Sequence, residues 1–319
     1  MKEDYVIGVD LGGTNIKFGL VDSRGKIKKK IVLDTLAELG PKTVIKQIKK
    51  GIKELIKEEK KISSIGIGAP GLVILKKGTI EYPPNLPGWI SEPLGSIIQK
   101  EFDLPTAVEN DANAAAIGEM IFGAGKKFDS FIMVTLGTGV GGGIIMNKKL
   151  LRGENGAAGE IGHVSIDYKG EKCACGSIGC IEAYIGNNYL CSRTVKKILD
   201  GAETSLKKFI LNENEYNFTP KDIYEAAQNG DVFAIEVIKE TGFLLGCALA
   251  SIVNLLDISN IIIGGGVAGF GDLLFSSCRQ TIKQRTFKIN AEKLKVIPAK
   301  LKNDAGILGA SALTYYYEI

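Results

Sequence analysis

The stretch Tyr5-Val-Ile-Gly-Val-Asp10-Leu-Gly-Gly-Thr14-Asn-Ile-Lys17-Phe-Gly-Leu-Val-Asp22 stands almost at the start of the sequence. Its β-branched opening reads as a strand, residues 11–14 as a tight turn, and residues 15–22 as a returning strand with alternating pattern. An ordinary Gly-Gly hairpin would account for this stretch alone. The pattern returns, however, at Ser130-Phe-Ile-Met-Val-Thr-Leu136, Gly137-Thr138-Gly139-Val-Gly-Gly-Gly143 and Ile144-Ile-Met146. An internal echo of strand, glycine turn and strand points to two related lobes. In each turn glycine lets backbone N–H groups approach a phosphate, so two such hairpins facing one another would cradle a polyphosphate. Asp10, at the end of the first strand, is placed to hold a hydrated Mg²⁺.

Other phosphate-binding signatures fail. Residues 137–142 fit G-x-G-x-x-G formally, but the following arm reads as a strand and not a helix, which removes the dinucleotide-binding context. No G-x-x-x-x-G-K-[ST] motif occurs in the sequence.

Between the hairpins, residues 42–61 carry apolar side chains at helical spacing, and residues 64–68 read as a short buried strand ending at Ala69-Pro70-Gly71. Glu81-Tyr-Pro-Pro-Asn85-Leu-Pro-Gly88-Trp89 reads as a rigid loop, either a linker or the wall of a polar site with Asn85 as a hydrogen-bonding group. A strand over residues 105–109 runs into Asn110-Asp111 and a helix over 112–120. Asn110 or Asp111 can serve as the helix N-cap. A carboxylate at that end of a strand can equally point into a ligand crevice and accept a proton.

Downstream lies Glu160-Ile-Gly-His163, then Cys173-Ala-Cys175-Gly-Ser-Ile-Gly-Cys180-Ile-Glu182. His163 is the only histidine of the chain. With Cys173, Cys175 and Cys180 it makes a complete tetrahedral zinc shell, leaving no position for an activated water, so the metal is structural. Disulfides fit poorly, because three cysteines cannot pair among themselves and C-x-C partners are strained. Glu160 and Glu182 flank the cluster, and a metal that orders the loop would also fix these carboxylates for a polar substrate. Helical patterns follow over 186–200, 219–229 and 231–256, then a buried strand over 259–264. Gly264-Gly265-Gly266-Val267 is a tight connection or a place where a flat ring or phosphate meets the backbone. A helix within 272–284, a strand over 295–298 and a small-residue helix over 304–317, expected to pack back on the first lobe, complete the chain.

The 319 residues suffice for two domains with substantial cores. A net charge of +4, spread along the chain, argues against a nucleic-acid partner. The longest apolar run, residues 243–256, is too short for a membrane span. The immediate entry into a strand leaves no room for a signal peptide, and the thiol cluster fits a reducing cytoplasm.

On these residues the chain resembles the ROK family of sugar kinases and sugar-responsive repressors over nearly its whole length. The resemblance rests on residues 10–17, Glu109-Asn110-Asp111-Ala-Asn113, residues 136–143, and above all on Glu160-Ile-Gly-His163 and Cys173-x-Cys175-Gly-x-x-Gly-Cys180-x-Glu182. Within the family it is most similar to the ATP-dependent glucokinase type. This implies an α/β, two-lobed actin-like ATPase fold of ribonuclease H-like lobes, with an interlobe cleft and a structural zinc loop. Residues 1–117 with 304–319 would form the smaller lobe and 118–303 the larger. It implies Asp111 as catalytic base and sugar contacts from Gly71, Asn85, Asn110, Glu160, His163 and Glu182. ATP phosphates would lie near Asp10, Gly12, Gly13, Thr14, Lys17, Gly137, Thr138 and Gly139, with adenosine near Gly264, Gly265, Gly266 and Val267. His163, Cys173, Cys175 and Cys180 correspond to the zinc ligands. The implied cofactors are ATP, Mg²⁺ and structural Zn²⁺, and the implied assembly is a homodimer or homotetramer. The expected reaction is phosphorylation of glucose at the 6-hydroxyl. A kinase for N-acetylglucosamine, N-acetylmannosamine, mannose or fructose is the nearest alternative, and a non-catalytic sugar sensor a more distant one. The family's repressors carry a helix-turn-helix ahead of the first hairpin; with four residues before Tyr5, no DNA-reading module is expected.

Overall fold

A computed structural model describes residues 5–59, 61–212 and 215–319. The chain divides into two compact units: Met1–Asp129 with Gly143–Gly159 and Lys300–Ile319, and Ser130–Gly142 with Glu160–Ala299. Both are α/β.

In the first unit the opening hairpin, Tyr5–Leu11 and Asn15–Val21, sits inside a mixed sheet of five strands. Ile27–Asp34 extends it antiparallel, while Ile62–Ala69 and Thr106–Asn110 add in parallel on the other side of Tyr5–Leu11. Gly8 pairs with Gly19 on one side and Gly66 on the other, giving a row of glycines across the sheet. The terminal helix Ala305–Tyr316 lies on this row: a Cβ on Gly66 would overlap the Ala310 carbonyl, and one on Gly8 the Ile307 carbonyl. Gly309 also meets Gly118 of the helix Asp111–Ile121, where a Cβ on Gly118 would lie 2.8 Å from the Gly309 Cα. The expected close packing of the small-residue helix on the first lobe is therefore observed. Gly51 of the helix Pro41–Glu58 sits on the Phe18 ring, and Val44, Ile48, Ile52 and Leu55 line its buried side. That helix ends at Glu58 rather than at 61, and Lys60, like residues 1–4, lies outside the described residues.

A second five-stranded sheet repeats the plan. Val140–Met146 returns beside Phe131–Leu136, and Asn260–Gly264 and Lys295–Pro298 add in parallel. Helices Val232–Leu256 and Asp272–Arg285 pack tightly where Gly242 and Gly246 meet the backbone around Leu274 and Cys278. Compared with the expected division, residues 118–129, 143–159 and 300–303 group with the first unit. Polar ties explain this grouping: the Leu301 and Ala124 amides donate to Glu119, and the Lys148 amide donates to the Asp129 carbonyl.

The proline-rich segment is a loop over residues 82–90, as expected, and short strands flank it. Leu72–Ile74, Thr79–Glu81 and Ser91–Glu92 form a small antiparallel sheet, followed by the helix Leu94–Phe102. Buried Trp89 donates from its indole to the Ile80 carbonyl at 3.2 Å. Strands of two or three residues carry too little alternation to be read from pattern. No helix among the described residues is long and apolar enough to cross a membrane.

Candidate functional site

In the first unit the strand Thr106–Asn110 delivers Glu109, Asn110 and Asp111 to one junction. Asn110 makes the helix cap: its side-chain oxygen accepts from the Ala112 and Asn113 amides at 3.0 and 3.2 Å. Its Nδ2 donates to the Gly71 carbonyl at 3.2 Å, bringing two of the predicted sugar-side residues together. Asp111 opens the helix and its Oδ1 accepts the Ala112 amide at 2.8 Å. Beneath them Glu109 is 1% exposed. It accepts from the Asn110 amide, Asn113 Nδ2 and the Tyr317 hydroxyl, at 2.8, 3.2 and 2.8 Å, and pairs with Arg152. Burial, then the neighbouring Glu109 charge, raises the Tyr317 hydroxyl pKa. Glu109, Arg152 and Tyr317 position the junction; Glu109 stands in the motif at 109–113, but its two partners are not marked locally, because they come from 43 and 208 residues away. Glu109→Gln is expected to cost about 3 kcal/mol of unfolding free energy, since it strands the Arg152 charge. Tyr317→Phe, which removes one hydrogen bond, should cost about 1 kcal/mol. Urea denaturation of both variants checks this, and equal losses would count against an ion-pair role.

The first glycine turn lies in the same unit. Thr35, fully buried, donates from its hydroxyl to the Gly12 carbonyl at 2.7 Å, and its amide donates to the Thr14 carbonyl at 2.8 Å. Asn85 stands against Gly13, where a Cβ would come within 2.9 Å of the Asn85 Cβ. Asp10 and Lys17 are register partners, with Nζ 3.7 Å from the carboxylate. Burial raises the Asp10 carboxyl above its ordinary range, and the Lys17 charge opposes that shift. Gly306, in the first turn of the terminal helix, packs on the Asp10 carboxylate.

In the second unit His163, Cys173, Cys175 and Cys180 converge, with one ligand atom from each lying within 4.8 Å of all the others. The Cys175 and Cys180 sulfurs are 3.7 Å apart, and Cys173 Sγ is 3.8 Å from His163 Nδ1. Two sulfurs on a tetrahedral zinc at ordinary bond lengths stand about 3.8 Å apart, so the donor set fits the ion in kind and in spacing. Burial pushes the Cys173 thiol up to about 12, while the Ser177 amide draws Cys175 down. A bound cation would displace the remaining thiol protons. With Nδ1 turned to the sulfurs, His163 Nε2 faces the Glu160 carboxylate at 4.0 Å, the usual outer partner of a ligating imidazole. Glu160 is exposed.

Glu182 flanks the cluster and also reaches the second glycine turn. One carboxylate oxygen accepts the Val140 amide at 2.8 Å, and the other is 3.9 Å from Cys173 Sγ. The second glycine turn and the Gly264–Val267 segment are also neighbours. Gly264 pairs with Thr135, and Gly265, at φ +88°, brings its backbone onto Leu136 where no side chain fits. Val267 is buried, so its side chain belongs to the core. A cavity of about 270 Å³ opens beside this segment, lined by Asn187, Thr219, Lys221, Tyr224, Gly266 and Phe270 among others. None of its lining residues except Gly266 is evident from the sequence, because they come from separate helices. Gly71, Asn85, Asn110 and Asp111 thus belong to the first unit, and Glu160, His163 and Glu182 to the second.

The sequence model of the ROK family matches residues 6–316. A glucokinase of Thermotoga maritima is 35% identical over 313 residues, covering 98% of each chain. A xylose repressor of Caldicellulosiruptor bescii is 36% identical over 314 residues, covering 97% of this chain and 77% of the repressor. Among solved structures, a ROK family glucokinase from Streptomyces griseus in complex with glucose and AMPPNP superimposes with a TM-score of 0.82 at 35% identity, covering 97% of this chain and 98% of that one.

Proposed function

Because this chain belongs to the ROK family, we propose that it is an ATP-dependent sugar kinase that transfers the γ-phosphoryl group of MgATP to the 6-hydroxyl of glucose. The observation that carries this reading is the junction at residues 109–111, where Asn110 makes the helix cap and Asp111 is the carboxylate next to it. Glucokinases 35% identical over nearly the whole chain support the choice of sugar. The two-lobed actin-like ATPase architecture of the family goes with this reading.

Phosphoryl transfer rests on positioning and charge neutralisation more than on covalent chemistry. Asp111 accepts the proton of the attacking hydroxyl as its oxygen bonds to the γ-phosphorus, while the bond from that phosphorus to the β,γ-bridging oxygen breaks and ADP leaves. Backbone N–H groups of Gly13, Thr14, Thr138 and Gly139 donate to the phosphates, those of Gly12 and Gly137 being taken by the Asn15 and Gly139 carbonyls. Asp10 is the residue that would hold Mg²⁺, whose charge offsets that of the phosphates when bound. Asn110, Glu160, His163 and Glu182 hold sugar hydroxyls, the carboxylates as charge-assisted acceptors. The cavity beside Gly266 takes the adenine ring. His163, Cys173, Cys175 and Cys180 would hold zinc, which supplies rigidity and no reactive position.

ADP release measured across hexoses and N-acetyl-hexosamines tests the reading, and the absence of sugar-dependent ADP release would overturn it. The similarity to a xylose repressor gives a second reading, sugar binding without phosphoryl transfer, and the same assay paired with calorimetry separates the two. Glu160→Gln should raise the sugar KM about tenfold with little change in kcat, as expected for one charge-assisted hydrogen bond. An unchanged KM for every accepted sugar removes that contact.

A further inference from the structure

The Val140 peptide, at the exit of the second glycine turn, is gripped from both sides by the segments that carry the metal-ligand set. On one side its N–H donates to Glu182 Oε2 at 2.8 Å. On the other its carbonyl lies so close to Gly162 that a Cβ there would overlap it. Gly162 directly precedes His163, and Glu182 follows Cys180 by two positions. The two segments are themselves joined: the Ile181 amide donates to the Val164 carbonyl at 2.9 Å, and Ser165 bridges to Cys180. Glu182 also reaches the turn through its main chain. The Gly186 amide donates to the Glu182 carbonyl at 2.9 Å, and the next amide, of Asn187, donates to the Gly137 carbonyl at 3.0 Å. Within the turn, Gly139 packs directly on the Glu182 carboxylate, which a Cβ there would displace. The turn at 137–140 therefore has its shape set by the chain around the metal-ligand cluster.

We infer that Glu182 is a positioning residue for the phosphate-binding turn, and that metal bound by His163, Cys173, Cys175 and Cys180 sets nucleotide affinity through Glu182 and Gly162. This rests on the proposal that the turn binds nucleotide phosphate. A bare carboxylate beside a polyphosphate site repels the ligand, so its charge, which serves the sugar, is not what the position supplies to the nucleotide. Its contribution is an acceptor that fixes one amide of the turn and thereby aims the others.

The chemistry predicts opposite behaviour for two substitutions. Glu182→Gln keeps an acceptor for the Val140 amide and loses the charge. Glu182→Ala loses both. In the zinc-loaded full chain, with no sugar present, Glu182→Ala should bind Mg²⁺·AMPPNP about tenfold more weakly than wild type, and Glu182→Gln at least as tightly as wild type. Both should retain one equivalent of zinc. Stripping zinc from the wild type with 1,10-phenanthroline and restoring Mg²⁺ should reproduce the tenfold loss. It should also speed hydrogen exchange at residues 137–142, leaving exchange in the helix Val232–Leu256 unchanged as a check on folding. If Glu182→Ala and the zinc-free wild type both bind Mg²⁺·AMPPNP as the loaded wild type does, the inference is wrong while the kinase reading stands. Equal loss in Glu182→Gln and Glu182→Ala would also overturn it, because positioning predicts rescue by glutamine. A loaded wild type that binds no Mg²⁺·AMPPNP would remove the kinase reading and this inference together.

Discussion

Asp111→Ala is expected to lower kcat by roughly 10²-fold or more in an ADP-coupled assay while leaving the sugar dissociation constant nearly unchanged. At about 1.4 kcal/mol per decade, that corresponds to a loss of about 2.7 kcal/mol of transition-state stabilisation. The local structure makes this substitution interpretable. Truncating Asp111 spares the cap, which Asn110 makes from its own side-chain oxygen, and it spares the Asn110 contact to the Gly71 carbonyl. Below the junction, Glu109 still accepts the Asn110 amide and still pairs with Arg152. The substitution removes the proton acceptor and the Oδ1 contact to the Ala112 amide, which Asn110 still accepts, and costs a few tenths of a kcal/mol from removing an acid in the first helical turn. Asp111→Asn, with nearly the same shape, should be as slow as the alanine variant. A near-native kcat in either would remove Asp111 from the base role. Weakened sugar binding with kcat retained would instead make it a substrate-holding residue.

The sequence made the junction visible for a physical reason: a carboxylate at the end of a short buried strand followed by a helix is a local pattern. The same holds for the glycine turns, where glycines between two apolar strands mark a tight turn, and for the cysteine and histidine spacing, since ligand identity is written in residue type. The repeated strand order of the two sheets follows from the hairpin echo. Less local features were not legible. Glu109 stands in a recognisable motif, but its role is not legible until Arg152 and Tyr317 arrive from far along the chain. Thr35 closes the first turn from a different strand connection. Tyr224 and Phe270 line the cavity only after their segments pack. Glu182 shows a further limit: its place beside the cysteines is evident from the sequence, but not that one of its carboxylate oxygens accepts the Val140 amide of the glycine turn. Sequence proximity fixes which group is near the cluster; the lone-pair directions are fixed by packing.

Cys175→Ser should abolish stoichiometric zinc and raise the sugar KM about tenfold or more, with the chain still folded. Cys175 is the informative choice because it is exposed, whereas Cys173 and Cys180 are 6% and 0% exposed and their replacement would disturb packing as well as ligation. A serine hydroxyl matches the thiol in shape but does not replace a thiolate on zinc. Structural zinc binds small peptides with about 10 kcal/mol or more of apparent free energy, and that energy becomes folding energy where the metal is the main source of order. Here order also comes from the backbone ties of Cys173 to Ser177, Ile166 to Gly179 and Ile181 to Val164. Loss of metal should therefore loosen residues 160–182 locally before the unit unfolds. The sugar KM responds because His163 carries both functions: its Nδ1 faces the sulfurs and its Nε2 faces Glu160, so a released imidazole no longer holds that carboxylate in place. Cys247→Ser, away from the cluster, should leave zinc content and KM unchanged. Metal analysis alongside steady-state kinetics decides the matter. Stoichiometric zinc with wild-type kinetics in Cys175→Ser would mean that the four side chains gather for packing alone.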